Sequence, residues 1–108
     1  MKATFGEYIR ELRTDKGLTL TDLAALLKLD SANLSKIENG KREFDEKRLD
    51  KLATAFSLNL EELKTEYFSD QFAKKMYQYN CSPKTLIVAE EKVNYLKNVN
   101  VKQAEIKF

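Results

Sequence analysis

The side chains whose types and spacing suggest chemistry lie between residues 19 and 42. Thr19–Leu27 reads as a short helix, Lys28–Leu29 as a tight connection and Ser31–Asn39 as a second short helix. Leu34 and Ile37 give the second of these an inward face and leave Ser31, Ala32, Ser35, Lys36 and Asn39 outside. A face of small polar residues with one lysine suits close approach to base edges in a major groove. The stretch Asn39-Gly40-Lys41-Arg42 then offers backbone N–H groups, an amide and two cations, a set matched to phosphate oxygens. Ala24 sits where two helices cross and only a small side chain fits.

Other chemistries find little support. Histidine is absent, which removes the commonest metal ligand and the usual general base near neutral pH. Cys81 is alone and can form neither an internal disulfide nor a thiolate metal site. The glycines are isolated at positions 6, 17 and 40, so no phosphate-cradling loop is written in the chain. An enzyme is not expected, nor a cofactor, a metal or a small-molecule ligand. No apolar run approaches the roughly 20 residues that span a bilayer, and Glu7 and Glu11 stand where a signal peptide would be apolar. The expected setting is the reducing cytoplasm, away from membranes. Charge sharpens the expectation: the net is +2 over 108 residues. Residues 1–64 balance twelve cations with twelve anions, so any attraction to DNA must be a local footprint.

The elements that must position these residues are helices. A repeated device marks their starts: a capping residue flanked by an apolar residue before it and another four positions after it. Thr19, Asp30, Asp45 and Asn59 fit, with Glu62 at the third position of a capping box; Thr4 with Glu7 gives a weaker start, and Ser82-Pro83 a last one. Gly17 and Gly40 close the first and third helices. Apolar positions recur at helical spacing, as in Leu20, Leu23, Ala24 and Leu27, and no strand pattern of useful length appears. The expected class is all-α: a five-helix domain over residues 1–65 and a C-terminal helical extension over 66–108. Leu60–Tyr79 reads as one long helix or two joined near Ser69, and Asn98 to Phe108 reads as a tail without a clear element. Lys47, Arg48 and Lys51 read as a solvated face of the fourth helix.

In this order and spacing the sequence resembles the phage-repressor-like helix-turn-helix regulators, the Xre family, over residues 4–64. The resemblance is carried by Ile9-Arg10-Glu11-Leu12-Arg13, Lys16-Gly17-Leu18-Thr19, Asp22-Leu23-Ala24 and Leu34-Ser35-Lys36-Ile37-Glu38-Asn39-Gly40-Lys41-Arg42. It implies a third helix lying in the major groove of double-stranded DNA, with the loop after it gripping the backbone. Carried over by position, Ser31, Ala32 and Lys36 face bases, while Asn33, Ser35, Asn39, Lys41 and Arg42 lie toward phosphates or sugar. Arg13 and Glu38 match positions that form an ion pair beneath that face. Two positions depart from the family pattern. Leu20 replaces a glutamine that contacts phosphate, leaving Thr19 or Thr21 to take its place. Lys28 replaces a glycine in the turn, which leaves either a left-handed backbone at a non-glycine residue or a slightly different turn.

The C-terminal part is unusually aromatic, with Tyr67, Phe68, Phe72, Tyr77 and Tyr79 close together. Packing of the extension against its own domain is one reading. The other is a homodimer interface formed by Tyr67, Phe68, Phe72, Met76, Leu86, Val93 and Leu96. The functional expectation is a dimeric, sequence-specific transcriptional regulator bound to an inverted-repeat operator, of the controller or autorepressor kind. The alternative is an antitoxin-like interaction module whose C-terminal helices bind a partner protein, with DNA binding for autoregulation.

Overall fold

The helix starts form through short-range hydrogen bonds that satisfy otherwise orphaned N–H groups. In the computed structural model, which describes residues 3–102, Thr4 Oγ1 accepts from the Glu7 N–H at 3.2 Å and Glu7 Oε1 accepts from the Thr4 N–H at 2.9 Å. This box opens α1 (Phe5–Asp15), and the reciprocal pair Thr19–Asp22 opens α2 (Leu20–Leu27) with both bonds at 3.0 Å. Both carboxylates are held below their usual range, first by the backbone N–H and then by the hydroxyl of the capping threonine. Asp30 caps α3 (Ser31–Glu38) through the Ala32 N–H. Asp45 caps a 3-10 turn, Glu46–Arg48, which leads into α4 (Leu49–Phe56). Asn59 Oδ1 accepts from the Glu62 N–H at the start of α5 (Leu60–Gln78), and among the described residues Glu62 returns no bond. Pro83 precedes α6 (Lys84–Lys102).

Five helix ends share one geometry. A residue with positive φ follows the helix, and the next N–H reaches back five residues. Leu18 N bonds Arg13 O, Leu29 N bonds Ala24 O, Lys41 N bonds Lys36 O, Leu58 N bonds Ala53 O and Cys81 N bonds Met76 O. Gly17 and Gly40 fill two of these left-handed positions, and Lys28 takes the third at φ 57°. Ser57 and Asn80 fill the others, where no glycine signals an end.

The core joins α1 to α5: Phe5, Ile9, Leu23, Ala24, Leu27, Leu34, Ile37, Phe44, Leu49, Leu52, Ala53, Leu63 and Tyr67 are all buried. No strand occurs among the described residues, so the all-α class holds. The close approach of α1 to α3 depends on Gly6. A β-carbon there would lie 2.2 Å from the Ile37 carbonyl oxygen and 3.0 Å from that of Glu38. Helix propensity favours alanine over glycine by about 1 kcal/mol, yet the atoms in the way are backbone that cannot swing aside. Gly6→Ala should therefore lose about 2–3 kcal/mol of stability, measured as a fall in the urea midpoint. An unchanged or raised midpoint would mean that the two helices separate freely.

The chain divides into two compact units between Phe72 and Ala73. Tyr67 and Phe68 thus stay with the first unit, Tyr67 in its core and Phe68 half-buried against it. The place of Tyr67 in the expected dimer surface is corrected accordingly, since its ring is buried in the domain's own core, while Phe68 keeps an open side. α5 passes Ser69 without a break, and α6 carries residues 98–102, which spacing alone leaves as a tail. Neither glycine nor proline follows Pro83, so nothing in that stretch stops the helix. Residues 103–108 lie outside the described part. In the second unit Leu86 is 53% exposed, Val93 48% and Leu96 36%, a stripe at helical spacing without a cover. No described helix is long and apolar enough to cross a membrane.

Candidate nucleic-acid interface

α2 and α3 are joined by the left-handed turn at Lys28, and Ala24 is buried at 2% exposure beside them. Leu34, Ile37 and Glu38 of α3 are buried. That inward set fixes the outward one by helical geometry. Ala32 and Lys36 are exposed, Ser31, Asn33 and Ser35 half-buried at the edges, and Lys41 and Arg42 exposed in the loop that follows. Thr19 and Thr21 are exposed at the start of α2, although the Thr19 hydroxyl already caps the helix. Leu20 is half-buried against the core, so this side chain packs where a glutamine would reach outward.

Beneath this face lies an ionic network. Glu38, with its side chain 2% exposed, accepts from Arg13 Nε at 2.7 Å and Arg13 Nη2 at 3.0 Å, a two-pronged pair between α1 and α3. Arg13 Nη1 also donates to Leu18 O at 3.0 Å, tying in the loop after α1. Hydrogen bonding to Glu38 pushes the Arg13 guanidinium further up its already high range. A second guanidinium, absent from the expectation, completes the network. Arg10 Nε donates to Glu38 Oε1 at 3.3 Å, and Arg10 Nη2 donates to Asn39 Oδ1.

The loop after α3 differs from the expected phosphate cradle. The N–H groups of Asn39, Gly40 and Lys41 all donate to carbonyls of α3, at 3.0, 3.1 and 2.8 Å. The Asn39 amide donates to Ser35 O at 2.9 Å and accepts from Arg10. Closing the helix has consumed these three donors, and the Lys41 and Arg42 side chains with the Arg42 N–H are left as the loop's groups for an anion. Arg48 also departs from the solvated face that its spacing suggests. It crosses to the helix-turn-helix turn, where Nε donates to Leu27 O at 3.1 Å and Nη2 to Lys28 O at 3.3 Å, while Nη1 pairs with Asp45 at 3.2 Å. A planar fork fits two adjacent carbonyls at a helix end, so this arginine braces the turn. Among the described residues no cluster of three or more His, Cys, Asp or Glu is arranged to hold a metal.

Comparisons with known proteins agree with this geometry. Residues 9–63 match the family described as Helix-turn-helix (HTH_3). The HTH-type transcriptional repressor RghR of Bacillus subtilis is 35% identical over 82 residues, covering 72% of this chain and 61% of that protein. The HTH-type transcriptional regulator RghRB of the same organism is 53% identical over 38 residues, covering 35% of this chain and 27% of that one. The chain thus matches less than two thirds of the length of either relative. A crystal structure of the restriction-modification controller protein C.AhdI from Aeromonas hydrophila superposes with a TM-score of 0.50 at 42% identity, covering 55% of this chain and 89% of that one. With the turn, the third helix and the core residues from Ile9 to Leu63 inside the matched span, the chain belongs to the helix-turn-helix family.

Proposed function

We propose that the protein is a cytoplasmic, sequence-specific transcriptional regulator that binds an inverted-repeat DNA operator as a homodimer. α3 enters the major groove, with Ser31, Ala32 and Lys36 toward base edges. Lys41 and Arg42 are the principal phosphate ligands, flanked by Thr19, Thr21, Asn33 and Ser35, while Asn39 acts by shaping the end of α3. The observation that carries this reading is the exposed small polar face of α3, held by a buried arginine–glutamate pair and followed directly by two solvent-facing cations. With no metal or cofactor in the scheme, discrimination comes from the helix face itself. The likeness to a restriction-modification controller and a repressor supports a controller or autorepressor role.

The test is a titration of the full chain against duplexes selected from a random pool. Lys41→Ala combined with Arg42→Ala should weaken binding to every duplex, by about tenfold or more. The slope of log K against log salt should become shallower by about 0.9 for each phosphate that no longer meets a cation. Unchanged affinity and slope would remove the loop from the interface. The uncovered stripe of α6 also supports the second reading, in which a different protein covers the C-terminal helices and DNA binding serves autoregulation.

A further inference from the structure

The loop that carries Lys41 and Arg42 is fixed at both ends, and the two anchors differ in kind. Its upstream end closes α3 through Gly40 N to Ile37 O and Lys41 N to Lys36 O. Its downstream end is held by α5. Phe44 is 3% exposed, with its ring 5.6 Å from Phe5 and 6.4 Å from Tyr67, and the Tyr67 hydroxyl donates to the Phe44 carbonyl at 2.7 Å in a buried setting. One turn further along α5, Gln71 Nε2 donates to Glu43 Oε2. Thus α5 takes hold of the two residues that follow Arg42.

The Tyr67 ring has its own packing role, edge-on to Phe5 at 5.1 Å and to Phe68 at 5.0 Å, which a phenylalanine would fill as well. The hydroxyl adds something else, a bond to the backbone of the cationic loop. An exposed cation contributes to phosphate binding in proportion to how little order must be imposed on it when it binds. A loop held downstream by the Phe44 ring alone leaves Arg42 with more conformations to lose than one whose backbone is bonded there as well.

We propose that Tyr67 is a positioning residue for DNA binding, its hydroxyl holding the downstream end of the 40–45 loop so that Lys41 and Arg42 are preset for the phosphate backbone, with Gln71 as its auxiliary. This rests on the DNA-binding reading above. Two measurements on the full chain test it. In the free protein, Tyr67→Phe should lower the backbone 15N order parameters of Arg42, Glu43 and Phe44, with little change at Ile9 or Leu52. In titrations against a selected duplex and an unrelated duplex, the same variant should lose about five- to tenfold in affinity for both. Placed on the Lys41→Ala, Arg42→Ala background, it should lose nothing further. An equal loss on both backgrounds, or order parameters that fall across the whole domain or stay unchanged in the loop, would overturn the proposal and leave the hydroxyl a general stabiliser. Failure of the unaltered chain to bind either duplex would refute the DNA-binding reading and the proposed role with it; the order parameters would then report only whether the hydroxyl orders the loop.

Discussion

Replacing Glu38 with alanine should destabilise the domain by about 3–5 kcal/mol, the cost of stranding a charge whose partner has been removed from a buried pair. The reason lies in what remains. Arg13 keeps its bond to Leu18 O but loses both bonds to the carboxylate, and its side chain is only 14% exposed, so water does not fully replace them. Arg10 is 44% exposed and can turn to solvent, which sets the effect toward the lower end of that range. Small domains are stable by about 5–15 kcal/mol, so the loss consumes a large share of the total and should be read at low temperature in urea. A cycle with Arg13→Met separates the pair from its burial: the double variant should recover much of the loss, because both charges then leave together. Arg13→Lys should fail to substitute, since an ammonium lacks the fork that meets both carboxylate oxygens. Coupling near zero would reduce the pair to two solvated charges.

How much of this is legible in the sequence follows from the range over which each interaction acts. The caps at Thr4, Thr19, Asp30 and Asn59 lie within three residues of the N–H groups they serve and can be read directly. Helix ends are readable where glycine marks them. Ser57 and Asn80 adopt the same left-handed geometry without that signal, because the six-residue bond and the packing that follows outweigh the modest strain of a side chain there. The Arg13–Glu38 pair comes through family resemblance. The second arginine on Glu38 and the reach of Arg48 to the turn, 28 and 21 residues apart in sequence, depend on how helices cross, which no local spacing encodes. Tyr67 reads as surplus aromatic surface when only its crowded neighbours are weighed. Its position four residues after Leu63 continues the inward stripe of α5, and that periodicity is the signal that places it in the core.

That correction decides where the dimer should be tested. A cut after Glu66 would remove Tyr67 from between Phe5 and Phe44, so loss of DNA binding there would report damage to the core. Residues 1–72 retain every buried residue of the first unit and should fold. The residues proposed for self-association are then Phe68, Phe72, Met76, Leu86, Val93 and Leu96, to which Ile87 and Tyr95, 59% and 67% exposed, are added. Residues 1–72 carry a net charge of −2, and the phosphate ligands proposed for them are few, so a single copy should bind weakly. Two copies joined by their C-terminal helices would present two third helices to successive major grooves about 34 Å apart. The second half-site is then engaged at high effective concentration. The 1–72 truncate should therefore be a folded monomer with operator affinity reduced by about a hundredfold or more, while the full chain sediments as a dimer at micromolar concentration. A monomeric full chain would refute the homodimer and leave the apolar stripe of α6 to a different protein. A truncate that still dimerises would move the interface into the first unit, where Leu26 beside α4 and Phe72 on α5 are exposed apolar residues.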